Sequence, residues 1–201
     1  MLQFIRSKTH PENIFFINAE SLQDKIDLGA LLSRYSRSDK DAETLYNKEF
    51  LTNKNRGNEF YAKVFGQYGD DSISELVPHG FAVCLEGIPV LWSTYLLHYR
   101  TLSAIEKSTR YVKALNYYKP LKFKTNPEYH VKCKKLLGQY NKEYQKVLQN
   151  LSGKYDSKEI QKPAILRVIK ARALDESRHL LPLSIVTSLG IRPILGAGLT
   201  Y

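Results

Sequence analysis

The stretch His98–Tyr111, "HYRTLSAIEKSTRY", sets seven residues between Arg100 and Ser108, with Glu106 and Arg110 two residues on either side of that serine. Side chains of an extended chain alternate between two faces, so a strand through this segment turns Glu106, Ser108 and Arg110 the same way. One surface then carries an acceptor, a hydroxyl and a cation. A guanidinium forms paired, charge-assisted hydrogen bonds with phosphate, which makes a phosphate-bearing ligand along this strand one reading. The other is an exposed strand edge with a Glu/Arg pair worth about 0–1 kcal/mol.

Outward from that stretch the chain alternates between helical and extended patterns, which points to an α/β fold. Upstream, "GFAVCLEGIPVLWSTYLL" (80–97) is nearly continuous apolar sequence and reads as a buried strand followed by a buried helix, with Gly87 and Pro89 at the junction. Farther back, "SLQDKIDLGALLSRYS" (21–36) has an N-cap serine at Ser21 and apolar residues at Leu22, Ile26, Leu28, Leu31 and Leu32, the spacing of an amphipathic helix. A second helix is expected from Asp39 to Leu51, and a third in "EFYAKVFGQYG" (59–69), stopped by Gly69. Downstream, Asn126 as N-cap and Pro127 as first helical residue open a helix that ends near Gly153. Its stripe is Tyr129, Cys133, Leu136, Leu137, Tyr140, Tyr144, Val147 and Leu151. Another helix starts between Asp156 and Pro163 and runs to about Leu180, where Pro182 breaks it. "LSIVTSLG" (183–190) is β-branched enough for a strand. No internal repeat or linker interrupts the 201 residues, so a single domain over 1–201 is expected.

Composition narrows the function. Thirty Lys/Arg against twenty Asp/Glu give a net charge of +10, which favours anionic partners. No helix-turn-helix, zinc or RNA-recognition signature accompanies the lysines, so specific nucleic-acid readout is not expected. Glu86, His98 and Pro182 break the apolar runs before the roughly 20 residues of a membrane span, and no signal-peptide pattern opens the chain, so a cytoplasmic location is expected. Cys84 and Cys133 supply neither a disulfide framework nor a metal-ligand set, and both read as structural. The five histidines have no metal-site spacing; His130 reads as a surface or packing residue. Asp70 and Asp71 read as helix caps, Arg34 and Arg37 as surface or anion-binding arginines, and Trp92 with the tyrosines of "LNYYKP" as packing or interface residues.

Five ordered motifs resemble the flavin-dependent thymidylate synthases. The family signature is Arg-His-Arg, seven residues and Ser, followed by x-Arg-Tyr, with a Glu two residues before the Ser. Here it reads His98-Tyr99-Arg100, seven residues, Ser108-Thr109-Arg110-Tyr111, with Glu106 in place. "LEGIPVLWSTYLL" resembles the apolar segment before that motif and "GDDSISEL" (69–76) the Gly-His-x-Ser-Val-x-Glu-His element. "SRYS" (33–36) resembles an early Ala-Arg-x-Ser and "SRHLLP" (177–182) a later Ala-Arg-x-x-Leu-Pro.

The resemblance implies a twisted, mostly antiparallel sheet with helices around it and a homotetramer with shared sites. It also implies methylation of dUMP to dTMP with methylenetetrahydrofolate as donor, FAD as cofactor and NADPH as reductant, without an enzyme cysteine. Carried over by position, Glu106, Ser108, Arg110 and Arg178 contact dUMP, with Arg110 on its phosphate, while Ser72, His98, Tyr99 and Arg100 face FAD. Ser108 is then a binding hydroxyl and not a nucleophile. Four positions depart from the pattern: His98 and Tyr99 replace Arg and His, Asp70 replaces the His after the early glycine, and Tyr95 replaces a Gln. The ending "IRPILGAGLTY" lacks the family's Asn-x-Arg element, so the C-terminal element after about residue 190 is expected to be missing. Arg192 is there instead, with no role indicated by its spacing. The alternative is a non-catalytic nucleotide-binding or structural subunit derived from that family.

Overall fold

In the computed structural model, residues 1–64, 80–99, 102–156, 158 and 160–193 are described. The strands are β1 (Gln3–Arg6), β2 (Ile14–Asn18), β3 (Phe81–Pro89), β4 (Leu102–Glu106) and β5 (Val186–Pro193), forming one sheet in the order β1-β2-β3-β5-β4. The pairs β1/β2, β2/β3 and β4/β5 are antiparallel. The helices are α1 (Leu22–Tyr35), α2 (Ala42–Leu45, continuing as a π-helical turn Tyr46–Phe50), α3 (Arg56–Lys63), α4 (Val90–Leu97), α5 (Pro127–Ser152) and α6 (Pro163–Ser177). An α/β fold with an antiparallel sheet and accompanying helices is therefore present.

Two compact units can be distinguished. The first comprises residues 1–88, 92–107 and 187–201, the second 89–91 and 108–186. In the first, Ser21 caps α1 through a reciprocal box: its hydroxyl accepts the Asp24 N–H at 3.1 Å, and the Asp24 carboxylate accepts the Ser21 N–H at 3.2 Å. Leu28, Leu31 and Leu32 are fully buried, in one core with Phe15 and Ile17 of β2 and Ala82 and Cys84 of β3. Gly57 permits α3 to approach α1, since a Cβ there would sit 2.3 Å from Asp27 Oδ1 and 3.1 Å from Asp27 Cα. Gly87 takes φ of +67° near the end of β3, a conformation open to glycine without strain, and α4 begins directly after Pro89.

The second unit is built on α5 and α6. Asn126 accepts the Tyr129 N–H at 3.0 Å and Pro127 occupies the first helical position, so α5 starts where its capping residues place it. Cys133, Leu137, Tyr140, Tyr144 and Val147 form its buried stripe, and Leu137, Tyr140, Tyr144 and Val147 share a core with Ala173 and Leu174 of α6, Ala114 and Ile185. Val90 and Leu91 join this unit through N–H donations to the Ile185 and Leu183 carbonyls.

Helix α4 corrects one expectation. It is not buried: Trp92 is 59% and Tyr95 57% exposed, Leu91 and Leu97 are exposed as well, and Ser93 is its one buried residue. Apolar sequence on every face promotes burial only where something packs against each face, and the chain by itself covers few of them. Among the described residues no helix is long and apolar enough to cross a membrane.

Candidate functional site

Among its described residues the quoted stretch is extended over Leu102–Glu106. β4 pairs Leu102 with Pro193 and Glu106 with Leu189, and the strand stops at Glu106. Ser108 then opens a turn: its carbonyl accepts the N–H groups of Tyr111 at 3.0 Å and Val112 at 2.9 Å, and its hydroxyl accepts the Arg110 N–H at 3.3 Å. The expectation that Glu106, Ser108 and Arg110 alternate along one strand face is therefore overturned. A serine hydroxyl that bonds its neighbouring backbone competes with the strand ladder, and here it wins.

The turn leads Arg110 to a partner in α6. Arg110 Nε lies 3.2 Å from Asp175 Oδ1, and Arg178 Nη2 lies 2.9 Å from the same oxygen. Arg178 stands three residues after Asp175, one helical turn on the same face, which places its guanidinium beside the carboxylate. Two arginines that the motifs implied separately for one ligand are thus gathered around one acid. Asp175 Oδ1 is closed to solvent, and neither contact is aligned as a hydrogen bond. The contacts are charge attraction at short range without hydrogen-bond alignment. Sequence reasoning did not single out Asp175, although its i,i+3 spacing to Arg178 was a usable signal.

Glu106 supplies a different feature. One of its carboxylate oxygens, Oε1, is buried and has no hydrogen-bond partner among the described residues. A buried carboxylate oxygen without a donor is costly, and such an atom is suited to a ligand N–H or O–H.

Around the end of β4 the first unit assembles a cluster that the sequence did not reveal. Glu86 accepts the Tyr35 hydroxyl at 2.6 Å and the Ser188 hydroxyl, and the Lys107 ammonium lies 3.8 Å from its Oε2. Lys107 Nζ also sits 4.8 Å from the centre of the Tyr35 ring, and the Lys107 backbone N–H donates to the Ser188 carbonyl at 2.9 Å. Burial, then the Glu86 charge, pushes the Tyr35 phenol well above its ordinary value. Glu86 was legible only as a charge interrupting an apolar run; Tyr35, Lys107 and Ser188 are distant from it in sequence.

Of the four residues implied for FAD, Ser72 and Arg100 lie outside the described residues, as do Asp70, Asp71 and the segment after 193. His98 and Tyr99 follow the C-terminus of α4. The His98 Nδ1 donates to the Thr94 carbonyl at 2.7 Å, since a carbonyl only accepts; in the neutral tautomer this leaves Nε2 as an acceptor. The Tyr99 hydroxyl donates to the Tyr95 hydroxyl at 3.1 Å, and Trp92, Tyr95 and Tyr99 meet edge to face along the exposed side.

The remaining candidates have structural roles. Arg34 makes a paired contact with Glu49 at 3.1 and 2.8 Å, and Arg56 joins the same carboxylate at 3.2 Å. Cys84 is fully buried, which pushes its thiol far up, and Cys133 is buried 3.3 Å from the Ser184 hydroxyl. His130 donates from Nε2 to the Lys124 carbonyl and accepts the Tyr117 hydroxyl at Nδ1, a packing role. Arg192 is fully buried in β5, where desolvation presses its guanidinium down while Tyr61 opposes this. Among the described residues no group of three or more His, Cys, Asp or Glu is placed to hold a metal.

Known proteins are similar to this chain. A UPF0159 protein of Thermoplasma acidophilum is 30% identical over 200 residues, covering 83% of this chain and 40% of the relative. A UPF0159 protein of Chlamydia pneumoniae is 37% identical over 101 residues, covering 42% of this chain and 19% of the relative. The chain thus spans well under half the length of these relatives. A UMP/dUMP methylase, PolB, from Streptomyces cacaoi, solved with 5-Br dUMP, aligns over 95% of this chain and 71% of its own, with 14% identity and a TM-score of 0.37. Residues 19–192, which contain all five motifs, match the family described as thymidylate synthase complementing protein. On that match the chain belongs to the thymidylate synthase complementing family, the flavin-dependent thymidylate synthases that its motifs resemble.

Proposed function

We propose that this chain acts in flavin-dependent thymidylate synthesis, methylating dUMP to dTMP with methylenetetrahydrofolate, FAD and NADPH. The observation that carries the reading is the convergence of Arg110 and Arg178 on Asp175. Two guanidinium groups held together offer a phosphate the charge and donors it needs, and fix the position of the attached nucleotide. The family motif implies Glu106, whose Oε1 has no hydrogen-bond partner among the described residues, and Ser108 for the same ligand. In this scheme the flavin carries the redox chemistry of the methyl transfer, and the chain orients and desolvates the substrate. His98 fits a flavin edge as an acceptor at Nε2, and the exposed rings of Tyr95 and Tyr99 fit a planar heterocycle; Ser72 and Arg100 complete the proposed set. The uncovered apolar side of α4 supports a homo-oligomer, a tetramer by family resemblance.

A second reading has its own support. His98 and Tyr99 stand where the family has a cation and a histidine, and their replacement favours a nucleotide-binding subunit without flavin turnover. The two are separated by the visible spectrum of the purified protein after incubation with FAD and gel filtration, with and without dUMP. Retained flavin absorbance is the expected result. Colourless protein under both conditions, with dUMP still bound, supports the second reading instead.

A further inference from the structure

We propose that Asp175 makes the arginine pair selective for a single terminal phosphate, so that the site takes a nucleoside monophosphate and rejects the corresponding triphosphate. This rests on the reading of Arg110 and Arg178 as phosphate partners and adds to it the rule by which the phosphate is chosen.

The argument starts from charge. The second unit holds 17 Lys/Arg against 6 Asp/Glu, a net +11. A field of that sign draws in polyanions, and the more charged the anion the stronger the pull. Distant lysines therefore favour a triphosphate over a monophosphate. Discrimination in the opposite direction needs a negative charge fixed at the binding point, and Asp175 is such a charge. Its Oδ1 is in contact with both guanidinium groups, closed to solvent, and has no aligned hydrogen bond. The three side chains carry a local charge of +1.

A phosphate monoester carries about −1.5 to −2 near neutral pH, so it meets both guanidinium groups directly while already exceeding the trio's net +1. Each additional phosphate of a di- or triphosphate brings further negative charge beside the Asp175 carboxylate with no third arginine in the trio to meet it. The lack of hydrogen-bond alignment strengthens the case. Because the arginine N–H forks are not committed to Asp175, a phosphate can take them while the carboxylate stays in place as the repulsive element. Asp175 is in this sense a positioning and selecting residue, not a catalytic one.

The test is calorimetric titration of the full chain with dUMP and with dUTP at about 0.15 M salt, where charges more than about 8 Å away are largely screened. The wild type is expected to bind dUMP at least about tenfold more tightly than dUTP. Asp175→Asn, which keeps the shape and removes the charge, brings the ratio to about one by strengthening dUTP binding, and Asp175→Glu restores the preference. Folding of each variant is checked by circular dichroism. Should Asp175→Asn not fold, competition against bound dUMP in the wild type decides, with tripolyphosphate expected to displace it no better than inorganic phosphate. A wild type that binds dUTP as well as dUMP overturns the inference, and so does a folded Asp175→Asn that keeps the wild-type ratio. A wild type that binds neither nucleotide overturns the nucleotide site itself, and the inference with it.

Discussion

The two units of this chain handle charge in opposite ways. The first holds 13 Lys/Arg and 14 Asp/Glu, a net −1, while the second holds 17 and 6, a net +11, so the second carries the chain's entire excess of positive charge. In the first unit part of the charge is matched inside the fold. Arg34 and Arg56 share Glu49, and Lys107 joins Tyr35 and Ser188 on Glu86, in a unit whose core holds leucine, phenylalanine, alanine and tyrosine. In the second, lysines such as Lys135, Lys142 and Lys146 stand exposed on α5 opposite its buried stripe, and the core relies on Tyr140 and Tyr144. Charge in the first unit serves folding. Charge in the second is left in excess, and Arg110 and Arg178, both on Asp175, are where we propose that an anion is held.

That contrast can be broken most severely by core deletion. Leu31→Ala in the first unit is expected to cost about 2–5 kcal/mol in denaturant unfolding, whereas Lys142→Ala in the second is expected to stay within about 0.5 kcal/mol. Comparable losses from both would mean that an exposed lysine of α5 carries as much stability as a core leucine, against the view that the second unit's charge is not spent on folding. Next comes Glu86→Gln, which removes the charge facing Lys107 and one acceptor for the Tyr35 and Ser188 hydroxyls; a loss of about 1–3 kcal/mol is expected in the same assay.

A pH series sharpens the comparison further. The Arg34 contact, with Arg56 beside it, holds the Glu49 carboxyl below its ordinary value of 4.5. A carboxylate depressed in the folded state contributes stability that is present above the ordinary value and disappears as pH falls through the folded one. Wild type is thus expected to lose more stability below pH 4.5 than Glu49→Gln does, and parallel acid profiles would dissolve the assigned role. The smallest effect is Gly138→Ala on α5. A Cβ there meets nothing within 4 Å, so the variant is expected to gain about 0.5–1 kcal/mol in thermal unfolding; a loss would mean that the glycine serves a packing need.

How far the sequence could be read follows from the range of the interactions involved. Helix α5 was legible because Asn126, Pro127 and a 3.6-residue stripe are local signals, and the β3–α4 junction because Gly87 and Pro89 mark it. The covering of α4 was not, since hydrophobicity records a need for burial and not the surface that meets it. Ser108 misled because alternation along a strand and a serine-capped turn share the same residues, and only the backbone geometry separates them. The Glu86 cluster draws on Tyr35, Lys107 and Ser188, whose meeting depends on strand order and has no local signature. Arg110 and Arg178 were found through family motifs, while the carboxylate that joins them came only from the fold.

The most direct test of the account is calorimetric titration of dUMP into the wild type, Arg110→Ala, Arg178→Ala and the double variant. Each single change is expected to weaken binding about tenfold to a hundredfold, the range of one lost charged hydrogen-bond partner. The double variant is expected to lose less than the product of the two, because the pair shares Asp175 and one phosphate. Wild-type affinity in both single variants would contradict the claim that this pair of arginines is the chain's phosphate site.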